Sequence, residues 1–173
     1  MKKIIWAAIV VLFITSYAYA DQITVQMNLV NEQGIGKNIG IVTAVDSRYG
    51  LILIPELKDL SPGIHGFHVH QMADCNHAMK DGKHVPALAA GGHFDPSGTN
   101  KHEGPYGAGH LGDMPVLYVG ADGKAASPVL APRLKVADLK GRSFMIHAGG
   151  DNYSDNPEAL GGGGARVACG AIR

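Results

Sequence analysis

Three features of the sequence predict an all-β domain, an antiparallel sandwich or Greek-key barrel. Short runs of apolar residues alternate with polar ones along the chain, no stretch carries a convincing amphipathic helical period, and Gly, Pro, Asn and Asp interrupt the runs at short intervals. The length of 173 residues suits one domain. Glycine is unusually frequent, 24 residues, yet it follows no collagen-like period and 46% of the chain is hydrophobic, which fits a loop-rich globular protein.

The elements follow in order. Lys2 and Lys3 precede an apolar run over residues 4–14 and then Ala18-Tyr19-Ala20, the order of a secretory signal peptide, so residues 1–20 are read as a cleaved address and 21–173 as the folded domain. The apolar run is shorter than the roughly 20 residues needed to span a bilayer, so no membrane anchor is expected after cleavage. Residues 22–29 alternate at period two and read as the first strand. Further strands are expected at 41–45, 51–54, 66–70, 115–119, 126–130, 143–147 and 165–172, with one helical turn over 134–139. Between them, 71–114 and 149–164 lack strand pattern. Loops of that length in a compact domain are usually functional or disordered, and these carry most of the histidines.

Charge narrows the partners. The whole chain balances 15 basic against 15 acidic residues, and without residues 1–20 the balance becomes mildly acidic. No long basic stretch is present, so the counterion release that drives nucleic-acid binding has little to act on. Cys75 and Cys169 are the two cysteines. In an exported chain they favour one disulfide over two free thiols, and their wide separation argues for a structural bridge, since redox-active pairs are more often close in sequence.

The nine histidines carry the chemistry. His68 and His70 stand two apart on a strand and therefore share a face, half of a metal site. His93, His102 and His110, followed by Asp113, make up four nitrogen and oxygen ligands, the number a tetrahedral zinc ion requires. His147 ends a strand just before the second loop. Six histidines and one aspartate are one donor short of two four-coordinate sites. A single imidazole using both ring nitrogens closes that gap; one metal site with spare histidines is the other arrangement the count allows.

The segments Gly66-Phe67-His68-Val69-His70, Gly91-Gly92-His93-Phe94-Asp95-Pro96, Lys101-His102-Glu103-Gly104-Pro105, Gly107-Ala108-Gly109-His110-Leu111-Gly112-Asp113-Met114-Pro115 and Gly161-Gly162-Gly163-Gly164-Ala165-Arg166-Val167-Ala168-Cys169-Gly170 resemble those of the bacterial, exported copper/zinc superoxide dismutases. They occur in that family's order and span the chain after residue 20. The resemblance implies an eight-stranded antiparallel Greek-key barrel or sandwich, immunoglobulin-like, with two long functional loops.

It also implies one copper and one zinc per subunit, with copper on His68, His70, His93 and His147, and zinc on His93, His102, His110 and Asp113. His93 is then the shared imidazole. Asp151 resembles the family's carboxylate that hydrogen-bonds a copper ligand and a zinc ligand, with Asp155 as the next candidate. Cys75 and Cys169 match the family's disulfide. Arg166 resembles the arginine that steers and holds superoxide beside copper. The implied reaction reduces and reoxidises copper with two superoxide anions, giving oxygen and hydrogen peroxide, while His93 carries a proton.

The remaining histidines read differently. His65 falls on the opposite face from His68 and suits a hydrogen-bonded structural role. His77 and His84 are read as solvated, with weak metal capture as the other reading. Tyr106 is expected on the surface of its loop. The competing function is a non-catalytic periplasmic copper/zinc-binding or metal-delivery protein on the same fold. A disulfide-stapled adhesion-type sandwich leaves the histidines without a purpose. Periplasmic location and a monomer or homodimer complete the expectations.

Overall fold

The computed structural model describes residues 20–173, so the expected signal peptide lies, but for Ala20, outside the described residues. The strands are β1 (Gln22–Asn31), β2 (Gly34–Ser47), β3 (Gly50–Leu57), β4 (Gly63–His65), β5 (Phe67–His70), β6 (Ala78–Lys80), β7 (Lys83–Val85), β8 (Leu117–Val119), β9 (Val129–Ala131), β10 (Arg142–His147) and β11 (Arg166–Ile172). Short 3-10 turns occupy Leu88–Ala90, Val136–Leu139 and Ala159–Gly162. Among the described residues no helix is long and apolar enough to cross a membrane.

Seven strands form one curled antiparallel sheet in the order β5-β10-β11-β1-β2-β3-β9, and β4 pairs with β8 beside it. The two sheets are one chain path, because only Gly66 separates β4 from β5. A bridge between Leu57 and Ala125 ties the segment joining β8 and β9 back to β3. This is the expected all-β, antiparallel Greek-key barrel.

The alternation that predicts the strands also sorts their faces. Val25, Met27, Val42, Ala44, Leu51, Leu53, Phe67, Val69, Phe144 and Ile146 fill the inside of the curl. Phe67 and Phe144 meet with ring centroids 5.6 Å apart. In β5, Phe67 and Val69 enter this core, so His68 and His70 take the outer face. That outer face is covered by the two long loops. Met145 on β10 lies in a second buried cluster with Val30, Cys75, Ala87, Ala90 and Cys169.

Three strands exceed the sequence expectation. β4 is an extension of the 66–70 strand. β6 and β7 form a hairpin inside 71–114, a segment expected to be without strands. The signal for it was the dipeptide Asp81-Gly82, whose positive φ angles of 51° and 76° suit a two-residue hairpin turn. It is weak because the short flanking strands bury little and lack apolar alternation. β1, β2 and β3 run longer than expected, since the glycine-rich start of β2 pairs with β1 through backbone bonds that side-chain patterning does not report.

Cys75 and Cys169 are joined across a sequence separation of 94 residues. The bond fastens the first loop to β11 at the register position of Met145. In the chain-entropy account a loop of this size is worth about 4 to 5 kcal/mol. The Cys75→Ser, Cys169→Ser double variant is therefore expected to unfold at distinctly lower guanidinium concentration with a similar transition slope; an unchanged midpoint counts against a stabilising role.

Candidate metal centre

The centre is assembled on the free edge of β5. Backbone bridges pair His68 with Asp113 and His70 with His93. Val69 N donates to Gly112 O at 2.9 Å, and Phe94 N donates to Val69 O at 2.8 Å. The first loop is thus irregular in sequence but strand-like where it carries ligands: it lays residues 92–94 and 112–113 along an edge that would otherwise be unpaired. His147 arrives from the neighbouring β10. A register shift after Ile146 sets Arg166 directly opposite His147. Without that irregularity the strict alternation of β11 would put Arg166 on the face of Ala168, which lies in the core.

His68, His70, His93, His102, His110, Asp113 and His147 are all buried. His68, His70, His93 and His147 each offer a donor atom within 4.8 Å of the others, and His68, His93, His102 and Asp113 do the same. The second group contains His68 where the sequence expectation has His110. His110 nevertheless turns its Nδ1 to Asp113 Oδ1 at 3.4 Å, beside His93 Nδ1 at 2.9 Å and His102 Nδ1 at 3.1 Å. Three imidazole nitrogens therefore converge on one carboxylate oxygen.

The other ring nitrogens explain why these rings stand as they do. Asp151 accepts from His68 Nε2 at 2.9 Å and from His102 Nε2 at 2.7 Å. His70 Nδ1 donates to Gly91 O at 2.9 Å, and His147 Nδ1 to Gly164 O at 3.2 Å. Each bond occupies one nitrogen and, in a neutral ring, leaves the other with a free lone pair. The leftover atoms, His68 Nδ1, His70 Nε2, His93 Nε2, His102 Nδ1, His110 Nδ1 and His147 Nε2, are buried and have no hydrogen-bond partner. So many orphaned acceptors facing one another are costly without an ion. Nitrogen donors about 2 Å from a metal stand at most about 4 Å apart, so the observed spacing fits a metal with small adjustments. His93 is the residue whose Nδ1 faces Asp113 while its Nε2 stays orphaned.

Electrostatics divides the cluster. Burial, then the neighbouring His93, holds His68 and His70 well below the ordinary histidine value. The same two causes push His147 down to about 4. Burial alone lowers His102 as well, but the adjoining Asp113 and Asp151 carboxylates override this and raise it to about 9. Burial opposes ionisation of both aspartates, and their histidine partners outweigh it, keeping them well below the usual carboxylate range.

Arg166 donates to Ala87 O and Gly91 O, both at 2.6 Å. Gly91 O is also the acceptor for His70, so the guanidinium is one carbonyl away from that imidazole. The remaining expected residues are also placed. Asp155 accepts from His102 N at 2.8 Å and Leu160 N at 3.0 Å, bracing the loop. His65 is buried, with Nδ1 on His147 O and Nε2 on Ser61 O. Tyr106 is exposed.

Sequence reasoning missed two contributors. Arg133 donates to the carbonyls of Gly104, Pro105, Gly109 and His110, clamping the loop that carries His102 and His110. A lone arginine in a connecting segment gives no sign of this. Gly161, at φ 73°, sits where a Cβ would overlap the Asp151 carboxylate and crowd the His102 ring. It was legible only as one member of a glycine run.

The fold and this cluster define a β-barrel protein with two adjoining metal positions. The family model for copper/zinc superoxide dismutase matches residues 38–172. A curated copper-zinc superoxide dismutase of Escherichia coli K12 is 54% identical over 167 residues, 96% of each chain. The structure of the copper/zinc superoxide dismutase from Brucella abortus superposes with a TM-score of 0.87 at 52% identity, covering 88% of this chain and all of that one. The solution structure of the monomeric copper, zinc superoxide dismutase from Salmonella enterica gives 0.80 at 56% identity, with the same coverage. The chain belongs to the copper/zinc superoxide dismutase family, and its metals are copper and zinc.

Two outcomes are expected. In metal-free protein the raised His102 value contributes stability that is complete below the ordinary value of 6.5 and is lost as pH rises through about 9. Thermal midpoints should therefore fall across that window, and zinc binding at pH 7 should release a proton, read by calorimetry in buffers of different ionisation enthalpy; no buffer dependence contradicts the assignment. Gly161→Ala should break the Asp151 bridge and lower zinc retention against a chelator at least about tenfold, whereas retention equal to the parent means the bridge tolerates a Cβ.

Proposed function

We propose that this chain is exported to the periplasm with cleavage after Ala20, that residues 21–173 form its single domain, and that it dismutes superoxide there, protecting the cell envelope. Copper is held by His68, His70, His93 and His147, and zinc by His93, His102, His110 and Asp113. The observation that carries the assignment is His93, which belongs to both donor groups and has its Nδ1 on Asp113 while its Nε2 is buried without a partner. It supplies the shared donor that the ligand count lacks.

Bound copper provides a one-electron couple that turns two superoxide anions into oxygen and hydrogen peroxide, and bound zinc provides a redox-inert Lewis acid. The chain's own residues position and protonate. Asp151, Gly91 O and Gly164 O hold His68, His70 and His147 in the tautomers that leave a lone pair inward. Asp113 orients His93 from its Nδ1, so that Nε2 can take up a proton and pass it to the departing peroxide. Arg166 spends two of its five N–H donors on backbone carbonyls, which fixes the guanidinium while leaving donors for an anion.

The metal-delivery reading is not favoured, because no ligand is altered and Arg166 stands beside the copper set. The deciding experiment is superoxide dismutation by the metal-loaded protein with and without copper; absence of copper-dependent activity overturns the proposal. Arg166→Ala should keep both metals while losing about tenfold or more of the rate and much of its salt dependence, and Arg166→Lys should recover part of it. Unchanged kinetics remove Arg166 from the reaction.

A further inference from the structure

We propose that the β6–β7 hairpin carries a separate surface copper-binding site formed by His77, Met79 and His84. The two imidazoles meet edge to face, with ring centroids 4.5 Å apart and planes at 81°. Met79 and His84 are directly paired across the hairpin, so their side chains leave it on the same face, and His77, two residues before Met79, joins them there. Lys80 and Lys83 form the next pair and alternate to the opposite face. The hairpin's two ammonium groups are thereby turned away from the donor set.

One ligand is already fixed in place. His77 Nδ1 is buried without a hydrogen-bond partner against Gly34, where a Cβ would lie 3.4 Å from it. That packing holds the ring and leaves Nε2 as the free donor. His84 and Met79 are exposed and adaptable. Asp81-Gly82 pins the register between them. The nearest carboxylates do not complete the set: Asp74 is engaged by the backbone N–H and side-chain amide of Asn76, and Asp81 lies in the turn.

Two imidazoles and a thioether select copper. Imidazole binds Cu²⁺ ahead of the other divalent first-row ions, and a thioether adds affinity for Cu⁺. Three protein donors on an open surface leave at least one position to water, so the site is exchangeable, unlike the buried centre. It uses none of the residues assigned to that centre.

The test begins with untagged protein already loaded with copper and zinc. Titration with Cu²⁺ by calorimetry should show one further equivalent, and the difference electron paramagnetic resonance spectrum should show two coordinated nitrogens. His84→Ala, which removes an exposed side chain, and His77→Gln should each weaken this binding about tenfold or more. Met79→Leu should leave Cu²⁺ binding within about twofold and weaken Cu⁺ binding, measured by competition with a chromophoric Cu⁺ chelator, about tenfold. No further equivalent, a single coordinated nitrogen, or parental affinity in His84→Ala overturns the site, and unchanged Cu⁺ affinity in Met79→Leu removes Met79 from it. The stoichiometry and nitrogen count are read on the unsubstituted chain, so they decide the matter even where a variant fails to fold.

Discussion

A buried imidazole has two nitrogens, and only the one not engaged in a hydrogen bond can serve a metal. That constraint organises the protein. Asp151 meets it for His68 and His102 at once, joining a ring of the proposed copper set to a ring of the proposed zinc set through one carboxylate. Gly91 O and Gly164 O meet it for His70 and His147. His93 makes the cluster a single unit, because it belongs to both donor groups, with Nδ1 on Asp113 and Nε2 buried without a partner. The loops exist in their present form to bring those acceptors to the rings.

The barrel supplies what such loops cannot supply alone, a fixed edge. β5 sends Phe67 and Val69 inward and thereby directs His68 and His70 outward, onto a face closed by residues 71–114 and 149–164. The first loop is held along β5 by backbone bonds, at Cys75 by the disulfide, and at residues 104–110 by Arg133. The second loop is tied to the first through Asp151 on His102 Nε2 and through Asp155 on His102 N, while Tyr153, whose hydroxyl accepts from Val116 N, ties it to the segment just beyond. Because both ties to the first loop converge on His102, the two loops cannot shift independently without disturbing that ring. Arg166 belongs to the same network, since its anchoring carbonyls lie in the turn that also fixes His70.

What could be read in advance divides along physical lines. Strand alternation and histidine spacing are properties of neighbours in sequence, so β1, β10 and the pair His68 and His70 were plain, and the family resemblance extended this to His93, His102, His110, Asp113 and His147. Hydrogen bonds to backbone carbonyls leave no pattern. Arg133 looks like any loop arginine, and Gly91 O could belong to any residue in that turn. The register shift that turns Arg166 outward depends on how β11 sits against β10, a relation between distant segments. The β6–β7 hairpin had a local signal in Asp81-Gly82, but its strands bury too little to display the alternation by which strands are recognised.

The partition of charge within the centre bears directly on how a protein without net positive charge would receive an anion. Both buried carboxylates meet His102, where they balance a protonated imidazole, and each also reaches a second ring, Asp151 that of His68 and Asp113 that of His93. The set of His68, His70, His93 and His147 contains no carboxylate of its own, and burial keeps His68, His70 and His147 neutral. A copper ion held among them, as proposed, would meet no carboxylate donor and would stand next to a guanidinium that cannot lose its own charge. In the proposed assignment the field that attracts a small anion comes from that ion and Arg166, with neither Asp113 nor Asp151 a donor in this set and without any need for a basic surface. Moving either carboxylate one ligand across the cluster would weaken that field while leaving the number of metal donors the same.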